Sequence, residues 1–99
     1  MSIAVIFRIQ IQQGRTSDFF DYLKKILPDT RSYEGFISID LYSSVEDPHK
    51  IIMYQVWQSL EHRHAYNAWR EKTGVAKKLS SFFESSPKLH TFEYEKTDA

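Results

Sequence analysis

No cysteine occurs among the 99 residues, which excludes a disulfide, a thiolate nucleophile and a thiolate metal site, and fits a reducing compartment. Glycine is nearly as scarce. The three glycines stand alone at 14, 35 and 74, so the chain has no glycine-rich loop to cradle a phosphate and no dinucleotide fingerprint. Neither sign of charge is in excess, with 13 basic side chains against 13 acidic, and no basic run exceeds Lys24-Lys25 or Lys77-Lys78. The chain therefore lacks the positive surface that draws a protein to nucleic acid or to an anionic membrane. No apolar run approaches the roughly 20 residues of a membrane-spanning helix. The opening residues turn strand-like by Ile3 without a basic n-region or apolar h-region, so no signal peptide is expected and a cytoplasmic protein is the default.

What is present is aromatic, 15% of the residues, and regularly ordered. Positions 51–57, Ile-Ile-Met-Tyr-Gln-Val-Trp, form an unbroken strand-forming run that predicts a strand buried on both faces. Ser59, just beyond it, suits a helix N-cap. From 3 to 11 the odd positions Ile3, Val5, Phe7, Ile9 and Ile11 alternate against Ala4, Ile6, Arg8 and Gln10, the period of a strand. Gly14 breaks it, and Thr16, Ser17 or Asp18 is expected to cap a first helix carrying Phe19, Leu23, Ile26 and Leu27 at helical spacing. Pro28 lacks a donor and restricts its predecessor, so this helix either ends near Leu27 or adds one turn over 29–31.

Residues 36–43 alternate again, and the Glu46-Asp47-Pro48 loop turns them into a hairpin with 51–57. A second helix is predicted over 59–72. After Gly74, Val75, Leu79, Phe82 and Phe83 give a short amphipathic turn or two. A last strand over 89–95 precedes a polar tail, 96–99, expected to fray. The order β-α-β-β-α-β is the ferredoxin-like arrangement of the α+β class, with an antiparallel sheet, in a single domain spanning 1–99.

A chain of this length buries only about two thirds of its unfolded surface, so further association helps it. A sheet with helices on one face leaves the other open, and Ile6, Phe36 and Tyr42 are expected there, opposite the main apolar sets. Eight strands from two such sheets can close a dimeric α/β barrel without free edges. A homodimer is therefore expected, built sheet to sheet. The plainer alternative lets long side chains such as Arg8, Gln10 and Gln12 cover the patch.

At 100° per residue from Ser59, His62, Ala65, Tyr66 and Trp69 form one helix stripe, expected to face the sheet, with Arg63, Asn67 and Arg70 on the far side. This stripe would meet Trp57 at the end of its strand, and Phe82 and Phe83 from the short helix. Aromatic walls with a few polar tips suit a flat apolar ligand, although aromatics at helical spacing more often simply pack. His62 is the candidate catalytic group, since an imidazole can accept a proton at neutral pH; the plain reading makes it structural. None of His49, His62, His64 and His90 pairs with another His or a carboxylate at metal-ligand spacing, so no metal is expected.

In order and spacing, Gly14, Glu34-Gly35-Phe36, Glu46-Asp47-Pro48, Val56-Trp57-Gln58-Ser59 and Tyr66-Asn67-Ala68-Trp69-Arg70 before Gly74 resemble the antibiotic biosynthesis monooxygenase family of small dimeric α+β barrels. The resemblance implies oxygenation of a small aromatic, a quinol or polyketide-like molecule, with no cofactor: the deprotonated substrate itself gives an electron to dioxygen. On this reading Trp57, Tyr66, Trp69, Phe82 and Phe83 bind the substrate and His62 takes or relays the proton. Many relatives place a His nine residues after the strand-end Trp, where this chain has Tyr66. The haem-degrading branch uses an Asn on the first strand, where Phe7 stands here, and a later helical His that is missing from 75–83. The main alternative is a dimeric small-ligand-binding or stress-associated module without turnover. A haem-binding or haem-degrading relative ranks behind both.

Overall fold

The computed structural model describes residues 2–96; positions 97–99 of the tail expected to fray lie outside the described residues. The chain runs β1 (Ile3–Gln10), α1 (Thr16–Arg31), β2 (Phe36–Ser43), β3 (Lys50–Trp57), α2 (Leu60–Lys72), α3 (Val75–Ser80) and β4 (Lys88–Glu93). The four strands make one sheet in the order β2-β3-β1-β4, with every neighbouring pair antiparallel. This is the ferredoxin-like α+β arrangement anticipated from the sequence, with α3 as the short helical turn after Gly74. Among the described residues no helix is long and apolar enough to cross a membrane.

Period-two alternation sends the odd residues of β1 and β3 toward the helices. Ile3, Val5, Ile9, Ile51, Met53, Gln55 and Trp57 are buried, while Ile52 and Tyr54 remain 37% and 38% exposed. The expectation that 51–57 is buried on both faces therefore does not hold within one chain, because helices cover only one side of the sheet. Phe36 is a second correction. The register slips between Phe36 and Ser38, and this bulge returns Phe36 to the helix side, against Trp57 at 5.5 Å between ring centroids. Ile37, in the slip, is left half exposed.

The start of α1 also departs from expectation. Its N-cap is Arg15, which makes no capping hydrogen bond through its side chain, because the backbone turn at Gly14, closed by Arg15 N–H donating to Gln12 O at 3.0 Å, begins the helix one residue early. The helix then passes through Pro28 to Arg31 and buries Phe19, Leu23, Ile26 and Thr30. Near the proline the carbonyl of Ile26 accepts from Arg70 Nη2 of α2 at 2.8 Å and, within the helix, from the Thr30 hydroxyl at 3.4 Å.

Two apolar clusters result. One joins Ile9, Ile11, Met53 and Phe82 to the buried face of α1. The other joins Ile3, Val5, Trp57 and Tyr66, flanked by Tyr33, Phe36 and Trp69. Phe7 packs against both.

Candidate active site

α2 starts where the sequence predicts. Ser59 Oγ accepts from the His62 backbone N–H at 3.2 Å and also lies 2.7 Å from His62 Nδ1. This contact fixes His62 beside the buried Gly35, whose φ of +87° and close approach leave no room for a side chain; a Cβ there would overlap the His62 ring. His62 is thereby committed to the start of the helix.

The inward stripe of α2 is displaced by one residue from the expected one. Arg63, Tyr66 and Arg70 are buried, Asn67 is half-buried, and Ala65 is exposed. The stripe 63, 66, 67, 70 has the same 3-4-7 spacing as an apolar face, but its two arginines read as solvated surface, since arginine is rarely buried unless paired.

Between this stripe and the sheet lies a cavity of about 180 Å³. The sheet supplies Phe7, Ile9, Met53 and Gln55; α2 supplies Arg63, Tyr66, Asn67 and Arg70; Ala76, Leu79 and Phe83 close it from the α3 side. Its walls are overwhelmingly apolar. Gln55 is held along its own strand, accepting from Trp57 Nε1 at 3.0 Å and donating to Met53 Sδ at 3.1 Å.

The two buried arginines differ in kind. Arg70 is held through two of its nitrogens: Nη2 donates to Ile26 O and to Thr30 Oγ1 (2.7 Å), Nε donates to Tyr66 OH (2.8 Å), and its guanidinium lies 4.4 Å from the Trp69 ring centre. Thr30 Oγ1 and Tyr66 OH are 2.7 Å apart, so the phenol hydroxyl of Tyr66 is taken up between α1 and α2. Arg63 is 5% exposed, and its Nε and Nη1 are buried with no hydrogen-bond partner among the described residues. It lies over the Phe7 ring at 5.4 Å. Burial pushes its pKa down to about 10, with the neighbouring Tyr66 opposing that fall, so it is still a cation at neutral pH.

Of the residues expected in the site, Tyr66 and Phe83 line this cavity. Trp57 and Trp69 do not: Trp57 is wholly buried against Tyr66 at 4.8 Å, and Trp69 stacks on Tyr33 at 5.2 Å. Phe82 is buried in the cluster on α1, edge-on to Phe19 at 6.0 Å with Arg15 over its ring, while Phe83, packed on the same cluster, also reaches the cavity. His62 is also outside the lining. The other lining residues, Phe7, Ile9, Met53, Gln55, Arg63, Asn67, Arg70, Ala76 and Leu79, are ones that sequence reasoning missed. Among the described residues, no three His, Cys, Asp or Glu side chains are grouped to hold a metal ion.

A larger hollow of about 560 Å³ lies on the open face of the sheet, rimmed by Arg8, Lys50 and Lys88 beside Tyr42 and Ile52. It lies on the face of the sheet away from the helices and is separate from the cavity under α2.

Residues 2–77 match the family model described as antibiotic biosynthesis monooxygenase. No curated protein sequence matches the chain. Among solved structures, a conserved protein from Methanosarcina mazei Go1 is similar at TM-score 0.87 and 17% identity, over 96% of this chain and 94% of that one. Rv0793 from Mycobacterium tuberculosis gives 0.83 and 15%, over 100% of both chains. A mutant of SnoaB, a cofactor-independent oxygenase from Streptomyces nogalater, gives 0.84 and 13%, over 98% and 96%. At these identities the structural likeness speaks for the fold.

Proposed function

Since the chain belongs to the antibiotic biosynthesis monooxygenase family, we propose that it is a cofactor-independent monooxygenase of a small aromatic substrate, working in the cytoplasm as a homodimer. The supporting observation is the apolar cavity between the sheet and α2, with the buried Arg63 at its wall. The similarity to SnoaB, itself a cofactor-independent oxygenase, points the same way.

The chemistry needs an electron-rich ring, dioxygen and a water-poor space. An ionised phenol passes one electron to dioxygen, and the superoxide and ring radical combine at a ring carbon. Loss of water then leaves a quinone: one phenol and one dioxygen give one quinone and one water, whose two hydrogens come from the substrate's O–H and C–H. The protein's part is to hold the ring between Phe7 and the α3 side and to place a fixed cation where the oxyanion develops. Arg63 supplies that cation. A substrate that enters ionised has already left its O–H proton in solvent; its peroxide then takes the C–H proton as the O–O bond breaks, and the hydroxide that leaves recovers the solvent proton as water. The proton relay expected of His62 would have to act from outside the lining, and full turnover by His62→Ala would remove it.

A second reading has its own support. No Asp, Glu or His is among the cavity's lining residues, which favours a dimeric ligand-binding module without turnover. A haem macrocycle is far larger than a cavity of this size, so the haem reading loses ground. The deciding experiment is oxygen uptake by the metal-stripped protein with a panel of quinols and phenols. Uptake that survives chelation and falls at least tenfold in Arg63→Met supports the oxygenase; no uptake with any of them supports the binding module.

A further inference from the structure

We propose that the cavity takes a single aromatic ring bearing one anionic oxygen, with Arg63 as its counter-ion. This rests on reading the cavity as the ligand site, but not on any turnover there.

Volume sets the first limit. A dry apolar cavity of about 150 Å³ admits benzene, whereas sites for drug-sized ligands begin at about 300 Å³. At about 180 Å³ there is room for one ring with a small substituent. A fused polycyclic ring would have to force Phe7, Leu79 or Phe83 aside or leave its further rings in the open mouth, without the contacts that the first ring makes.

Charge sets the second. A buried guanidinium without a partner is strongly disfavoured, and proteins keep such groups where a ligand completes them. Arg70, one helical repeat away, shows the ordinary solution, with Nε and Nη2 satisfied by Ile26 O, Thr30 and Tyr66. Among the described residues Arg63 has no such arrangement: Nε and Nη1 are orphaned, and no carboxylate lines the cavity. The missing negative charge fits the ligand's own oxygen. A ring stacked near Phe7 would carry that oxygen to the guanidinium, leaving Gln55 and Asn67 to meet a second polar substituent. Phenolates and aromatic carboxylates share this chemistry, and the two are separable by experiment.

The test is equilibrium binding to the full-length protein, by calorimetry, of 4-nitrophenolate and benzoate against the neutral 4-nitroanisole and benzyl alcohol, with 2-naphthoate as the oversized probe. At least one anion is expected to bind tenfold or more tighter than its neutral counterpart. Benzoate should also exceed 2-naphthoate, and Arg63→Met should abolish the anion's advantage over its neutral counterpart. Bound 4-nitrophenol should ionise at lower pH than the free compound, visible in its absorbance. Equal binding of anion and neutral ligand by the unaltered protein would overturn the proposal without recourse to any variant. So would an anion preference that persists in Arg63→Met, or 2-naphthoate binding as tightly as benzoate. Tight anion binding with no oxygen uptake would leave this inference standing and remove the oxygenase reading. Oxygenation without anion preference would do the reverse.

Discussion

The two buried arginines make opposite predictions for stability. Arg63 is cationic below its depressed pKa of about 10; the folded state disfavours that charge relative to the unfolded chain, and relief comes only as pH rises through that value toward the unfolded one. At neutral pH the full penalty is present, on the order of 3 kcal/mol before the Phe7 contact and any water offset it. Arg63→Met is therefore expected to raise the thermal midpoint by roughly 4–8 °C, equivalent to about 1 kcal/mol, as read by calorimetry of the unliganded protein; a lower midpoint would show that Arg63 is already paired. Tyr66→Phe should act the other way, because it strands Arg70 Nε and one bond of Thr30 in the interior, at a cost of about 1–3 kcal/mol in denaturant unfolding. At this scale the sequence was only partly legible. Tyr66 and Phe83 were identifiable as cavity residues, but Arg63 was not, since nothing in the spacing of 63, 66, 67 and 70 reveals that a charged side chain occupies the inward face without a partner.

At the scale of elements the sequence was far more informative, because strand alternation, the Ser59 cap and the helix-breaking glycines are local signals. Details were left open or misplaced where non-local contacts come in. Of the two ends the sequence leaves open for α1, the longer is formed, and Arg70, more than forty residues later in sequence, bonds the Ile26 carbonyl in its last turns. Phe36 turns inward because the bulge at Ile37 shifts its register. The junction between β2 and α2 depends on Gly35, where the helix start approaches the backbone too closely for a side chain. Gly35→Ala should cost well over 1 kcal/mol, since a positive φ and a steric overlap combine. His62→Ala is expected to restore only part of the loss, because the Cβ of His62 also blocks the site. A double-mutant cycle by urea unfolding measures this; full restoration would place the strain in the imidazole alone.

For the molecule as a whole, the open sheet face presents Ile52, Tyr54 and Phe92, with Tyr42 at its edge, an apolar surface of the kind that marks an interface. The homodimer proposed above would cover it. Ile52→Glu is then expected to weaken association at least 100-fold, or about 2.8 kcal/mol, in sedimentation equilibrium. A variant that stays as dimeric as the parent would move the interface elsewhere. The hole itself lies along a border, since Phe7 touches both apolar clusters and forms a wall of the space between them. A gap bounded by two separately knit cores can be widened or narrowed at Phe7, Leu79 or Phe83 while most contacts inside each core survive. Drift at a few wall positions is thus enough to refit the same frame to ligands of other sizes, and adaptability follows from where the void sits.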